Sequence, residues 1–200
     1  MEVYTGSTEE KLIIASFNIL QKEGINGATT KKIAQKANVS ELTLFRKFKS
    51  KQKLIEAVKE YYCENLLKKL DETFQFNEKI TVEDYLKNCF NKVVNLPDSE
   101  LNIIKMGIEE VREIPTQKRL FLKISESVIR KLSEFFTLKI KQNEIRNVNP
   151  EILALNIFSI LFESMILWKI YGKPLKYSVD MYTEDFLDLI LNGIKNTATV

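Results

Sequence analysis

The 200-residue sequence contains no histidine, and that absence removes more chemistry than any other feature of its composition. Without imidazole there is no Ser-His-Asp or Cys-His nucleophilic machinery and no His-ligated zinc, which leaves carboxylates, Lys, Tyr and Cys for proton or metal chemistry. Carboxylate di-metal bundles, which need paired Glu-x-x-His motifs, fall with it. Glycine is scarce at 6 residues, and no run matches the phosphate-cradling GxxxxGK or GxGxxG turns, which argues against nucleotide-dependent enzymes. Two cysteines, Cys63 and Cys89, are too few and too widely separated for a CxxC redox or zinc site, as suits a reduced cytoplasm. The start, MEVYTGSTEEK, lacks the charged-then-apolar pattern of a secretion signal. The longest strongly apolar stretch, Ile157 to Trp168, is 12 residues with Glu163 inside it, short of the ~20 needed to cross a bilayer. The composition therefore predicts a cytoplasmic protein with no enzymatic activity, cofactor, metal or membrane partner.

What the sequence does contain is a globular share of apolar residues and an uneven charge. Met1 to Lys53 holds ten basic and five acidic residues, a net +5, whereas Leu54 to Val200 holds twenty basic and twenty-two acidic, a net -2. Within Gly27 to Lys53 the cations Lys31, Lys32, Lys36, Arg46, Lys47, Lys49, Lys51 and Lys53 face Glu41 alone. Such a patch suits a polyanionic partner or, equally, a merely solvated face.

Apolar residues recur at helical spacing throughout, and strand alternation is nearly absent, which predicts an all-α fold. Thr8 is placed to cap a first helix ending at Gly24, with Leu12, Ile13, Phe17 and Leu20 inward. A short second helix follows Thr29. After the break Asn38-Val39-Ser40, a third runs over Glu41 to Lys47 with Leu44 and Phe48 on its buried side. Ser50 caps a longer helix that starts at Lys51 and passes Tyr61 and Tyr62. Two short helices joined by a tight turn, the second projecting polar and basic side chains, are what a helix-turn-helix needs to set one helix into a major groove. Lys31 and Lys51 stand in first helical turns, where a cation opposes the helix dipole and an anion would offset the cost. Each is placed as a phosphate clamp or as a tolerated surface lysine.

The stretch from Leu12 to Val58 resembles the DNA-binding domain of TetR-family transcriptional regulators. The helix-ending EG, the T-x-x-x-IA-x-x-A-x-VS run, the TLF-x-x-F element and the SK-x-x-L that opens the fourth helix occur in order at family spacing. The resemblance implies an N-terminal three-helix head with a helix-turn-helix over residues 1–53, and a larger helical effector-binding and dimerisation domain over 54–200. It implies a homodimeric, ligand-responsive repressor on a palindromic operator in double-stranded DNA. Thr30 and Lys31 would touch phosphate, Ser40, Thr43, Phe45, Arg46 and Lys47 would face the DNA, and Lys51 would hold phosphate. Two residues depart from the family pattern. Glu41-Leu42 replace the usual Lys-Gly after the serine of the turn, and Phe45 replaces a Tyr whose hydroxyl could bond phosphate. Phe45 is left either to pack on sugar or a thymine methyl, or to fill the head's core.

Beyond the head, helices are predicted near Thr81 to Leu96, Ser99 to Val111, Thr116 to Asn143, Pro150 to Tyr171 and Ser178 to Lys195, with Pro97, Pro115, Pro150 and Pro174 between them. Fifteen of the twenty residues from Ile152 to Tyr171 are apolar, on essentially every side. Such a helix must be covered all round, and a partner subunit is the economical cover. Ile152, Leu161, Phe186, Leu189 and Ile190 are the candidate dimer contacts, since in the family the last two helices pair with their mates. Asn156, Ser159 and Glu163 form one polar stripe on that helix, which suits solvent at an edge, an internal salt bridge or a ligand contact. Phe90, Phe121, Phe158, Phe162, Met165 and Trp168, with Ser159 and Glu163, are the candidate lining of a pocket for a small apolar effector, or else plain core. The rival reading is an all-α protein-interaction module whose basic head meets an acidic partner.

Overall fold

The computed structural model describes residues 6–110, 119–173 and 176–193, and among these every regular element is a helix. The order is α1 (Thr8–Gly27), α2 (Thr30–Lys36), α3 (Glu41–Phe48), α4 (Lys51–Thr73), α5 (Val82–Val94), α6 (Asp98–Glu110), α7 (Arg119–Lys141), α8 (Pro150–Met165), a π-helical turn (Ile166–Ile170) and α9 (Val179–Asn192). The predicted starts and ends at Val111, Thr116 and Lys195, with Pro115 and Pro174, lie outside the described residues.

The chain forms two compact units, Met1–Leu66 with Met106–Leu120, and Leu67–Lys105 with Phe121–Val200. In the first, the cap of α1 is Ser7 and not Thr8. Ser7 Oγ accepts from the Glu10 N–H at 3.2 Å while Glu10 Oε2 accepts from the Ser7 N–H at 2.8 Å. This reciprocal box needs a Glu three residues after the hydroxyl, a spacing that Ser7 has and Thr8 lacks. Gly24 takes φ 67°, ψ -176° and breaks α1, so that only a short turn continues to Gly27. Leu12, Ala15, Phe17, Ile33, Leu44, Leu54 and Val58 are buried and make the head's core.

The second unit is built round an aromatic and aliphatic interior. Tyr85 and Phe135 pack at 3.8 Å between centroids, Phe76 meets both, and the Tyr85 hydroxyl donates to the Phe74 carbonyl at 2.9 Å. Burial pushes the Tyr85 hydroxyl pKa well above its ordinary value, and that of the neighbouring Cys89 thiol up to about 12, so both stay neutral core groups. The α5 helix packs on both α8 and α9. At the end of α7 the ammonium of the buried Lys139 uses all three donors, on the Glu78 carbonyl, Gln142 Oε1 and Glu144 Oε2. Glu144 in turn accepts from the first N–H of α5, at Val82. This node fastens the turn after α7 to the loop before α5, and it satisfies the charge that burial would otherwise penalise.

Candidate nucleic-acid interface and effector cavity

The turn between α2 and α3 is shaped by Asn38, whose φ of 55° lies in the left-handed region that Asn tolerates better than most residues. The Ala37 N–H donates to Ile33 O at 2.9 Å and the Val39 N–H to Ala34 O at 2.9 Å, closing α2. Ser40 then caps α3, accepting from the Thr43 N–H at 3.1 Å with its Oγ 2.9 Å from Thr43 Oγ1. Leu44 and Phe48 point into the core, and that choice sends Leu42, Phe45, Arg46 and Lys47 outward. Phe45 is 42% exposed and Leu42 79% exposed, so Phe45 does not fill the head's core. Lys49, at φ 63°, carries the chain round to Ser50, which caps α4 by accepting from the Lys53 N–H at 3.1 Å. Ser40, Thr43, Phe45, Arg46 and Lys47 thus share one short helix and its cap.

Two other residues of the predicted surface, and the neighbouring Lys32, are already engaged inside the head. The Thr30 hydroxyl donates to Glu41 Oε1 at 2.7 Å, and the Lys51 ammonium donates to the Ile25 carbonyl at 2.7 Å. Lys32 is paired with Glu23, leaving Lys31 exposed at the start of α2.

In the second unit the eight residues predicted to line one pocket divide among three places. Phe158, Phe162 and Met165 line a wholly apolar cavity of about 40 Å³, together with Leu70, Phe74, Val93, Leu96, Ile104, Ile124, Val128 and Leu161. Phe121 packs on Phe162 at 4.7 Å. Ser159, Glu163 and Trp168 instead border an open cleft of about 600 Å³, with Lys173, Lys176, Tyr177 and Tyr182. Phe90 is fully buried and stacks with Tyr182 and Phe186. The reason is helical geometry: Ser159 and Glu163, four apart, share one face of α8, and Phe158, Phe162 and Met165 share another. Asn156, Ser159 and Glu163 are all exposed along α8.

Residues 12–58 match the family described as bacterial regulatory proteins, tetR family. An uncharacterized HTH-type transcriptional regulator of Bacillus subtilis, YvkB, is 44% identical over 66 residues, which span 33% of this chain and 35% of that relative. The fatty acid metabolism regulator protein of Bacillus subtilis is 21% identical over 93% of this chain and 95% of its own length. The solved FadR transcriptional regulator of Bacillus subtilis in complex with stearoyl-CoA has a TM-score of 0.65 at 20% identity, over 93% of this chain and 99% of that one, and shares the fold. Its head is that of the TetR family. The relatives that match it are described as transcriptional or metabolic regulators.

For a TetR-family head, then, sequence reasoning missed the Thr30–Glu41 and Lys51–Ile25 bonds, which join residues far apart in the chain. Exposed Leu42 was legible only as a departure from Gly. In the larger unit, Ile152 and Leu189 are exposed at 60% and 51%, and Ile190 is half-buried. Leu161 and Phe186, also named as dimer contacts, are 3% and 6% exposed and belong to the unit's own interior. The apolar surface of α8 and α9 is supplied instead by Ile152, Leu155, Met181, Leu189 and Leu191. Pro150–Ile170 is a run of 21 residues long and apolar enough to cross a membrane by length and composition, so counting only Ile157 to Trp168 understated it. In this fold the run is α8 and the π-helical turn, packed on α5.

Proposed function

We propose that this TetR-family chain is a ligand-responsive repressor that acts in the cytoplasm as a homodimer on a palindromic operator, and that its effector carries a long acyl chain. The observation that supports DNA reading best is the exposed face of α3, where Arg46, Lys47 and Phe45 stand clear of the core and Ser40 and Thr43 flank them. Head cations supply backbone affinity and α3 the base contacts. The dimer rests on α8, which is apolar on nearly every side yet leaves Ile152 and Leu155 exposed. A second copy presenting the same stripe of Ile152, Leu155 and Leu189 would cover it, and two-fold symmetry would place two heads on successive major grooves.

The acyl effector is favoured by the wholly apolar character of the cavity beside Phe158, Phe162 and Met165, and by the stearoyl-CoA bound in the Bacillus subtilis FadR. At about 40 Å³ the cavity is far below the ~300–1,000 Å³ of ordinary ligand pockets, so the acyl chain must part those side chains. Ligand entry then selects a conformation of different spacing between heads, and 1–3 kcal/mol of coupling corresponds to roughly 5- to 150-fold weaker operator binding. The test is a gel shift on DNA flanking the chain's own gene, with and without stearoyl-CoA. Release by stearoyl-CoA, lost in Phe162→Trp while DNA affinity is kept, supports the reading. Indifference to acyl-CoAs of every length rejects the effector, and failure to bind any duplex rejects the regulator.

A further inference from the structure

Glu41 is the single acid among the eight cations of Gly27 to Lys53, and it stands at the start of α3, exposed, on the surface assigned above to DNA. Its carboxylate is held in place: Oε1 accepts the Thr30 hydroxyl proton at 2.7 Å, across the turn that joins the two helices. A threonine hydroxyl has one proton to give. While it is given to Glu41, Thr30 has no donor for a phosphate oxygen, and the carboxylate beside it repels the same phosphate. One ionised side chain thus removes a hydrogen bond and adds a like charge at one place on the DNA-facing surface.

We infer that Glu41 is a negative determinant of DNA affinity, an internal anion that holds Thr30 and keeps the head's backbone grip weak, so that α3 base contacts decide where the chain stays. The inference rests on the DNA-binding reading and adds to it a residue that opposes binding. Phosphates carry no sequence information, so the effect is the same on every duplex. Glu41→Gln keeps an oxygen for the Thr30 hydroxyl and removes only the charge. Glu41→Ala also frees the hydroxyl, so its gain exceeds that of Gln by the value of one phosphate contact. In the parent chain Thr30→Val costs nothing, because the proton it removes was not given to DNA; in the Glu41→Ala background the same change cancels the extra gain.

The experiment measures the full-length chain against two duplexes of roughly 30 base pairs, one of random sequence and one selected by the chain from a random pool, over a range of salt. The expected result is an affinity gain of about three- to tenfold for Glu41→Gln on both duplexes, a larger gain for Glu41→Ala, and a salt slope steeper by up to about 1. The Thr30→Val effect appears only in the Glu41→Ala background, as a double-mutant cycle reads it. Unchanged affinity in both Glu41 variants, or a tenfold loss from Thr30→Val alone, overturns the inference and leaves the DNA-binding reading standing. Loss of binding to the selected duplex alone in Glu41→Gln also overturns it, because Glu41 would then be accepting from a cytosine amino group. No binding by the parent chain to either duplex removes both readings at once.

Discussion

The Lys51 ammonium donates to the Ile25 carbonyl at 2.7 Å, so the cation that opens α4 also secures the turn that ends α1. Gly24 breaks α1 one residue earlier, which leaves carbonyls without partners further along a helix. Lys51 takes one of them and keeps its positive charge. The residue that the family pattern assigns to phosphate therefore has a second task, to fix the start of α4 relative to α1.

Lys51→Ala is accordingly expected to show two effects. Urea unfolding should fall by about 0.5–1.5 kcal/mol from the lost hydrogen bond. Affinity for all duplexes should fall alike, with a salt slope flatter by about 1. Weaker DNA binding at full stability would assign Lys51 to phosphate alone.

Arg46 stands exposed on α3 with a guanidinium that can bond guanine O6 and N7 together. Arg46→Ala should cost about 1–3 kcal/mol on the selected duplex and relax the preference at one base pair. Binding-site selection repeated with the variant reads this directly, and an unaltered site would move base readout elsewhere on α3.

Subunit association should respond to the exposed apolar residues and not to the buried ones. Leu155→Glu is expected to leave a folded monomer by sedimentation, because Leu155 is exposed in the single chain. Phe186→Glu places a charge in the interior beside Phe90 and should unfold the unit instead. A Leu155→Glu dimer at micromolar concentration would place the interface on another face.

Among the described carboxylates, Glu100 and Glu144 each link stability to acid. Burial pushes the Glu100 pKa upward, but the hydrogen bonds from Lys69 and Ser99 prevail and hold it below the ordinary 4.5. Glu144 is held below that value chiefly by its hydrogen bond from Lys139. A pKa lower in the folded than in the unfolded chain gives stability that is complete above the ordinary glutamate value and is lost as pH falls through the depressed one. Melting temperature should therefore begin to fall below about pH 4.5. Glu100→Gln should be less stable at pH 7 and flatter below pH 4.5, and parallel curves would exclude Glu100 as a source.

The caps of α2, α3 and α4 at Thr29, Ser40 and Ser50 were determined by the sequence alone. Each is a bond between a hydroxyl and an N–H three residues on, a distance that the local backbone sets without help from the rest of the fold. The same locality made Leu44 and Phe48 readable as the buried side of α3, and hence its outward face. Even so, Ser7 took the place of Thr8, since one residue's shift decides whether Glu10 can reach back. The tertiary structure alone decided which of those outward groups are free. Thr30 meets Glu41 eleven residues away, Lys51 meets Ile25 twenty-six away, and Lys139 meets Glu78 sixty-one away. It also decided which side of α8 is core, because a helix apolar on nearly every side has no periodicity to say which face its own unit covers. Leu161 and Phe186 went inward and Ile152 and Leu155 outward as α8 and α9 packed against α5, where long-range contact and not helical spacing selects the buried face.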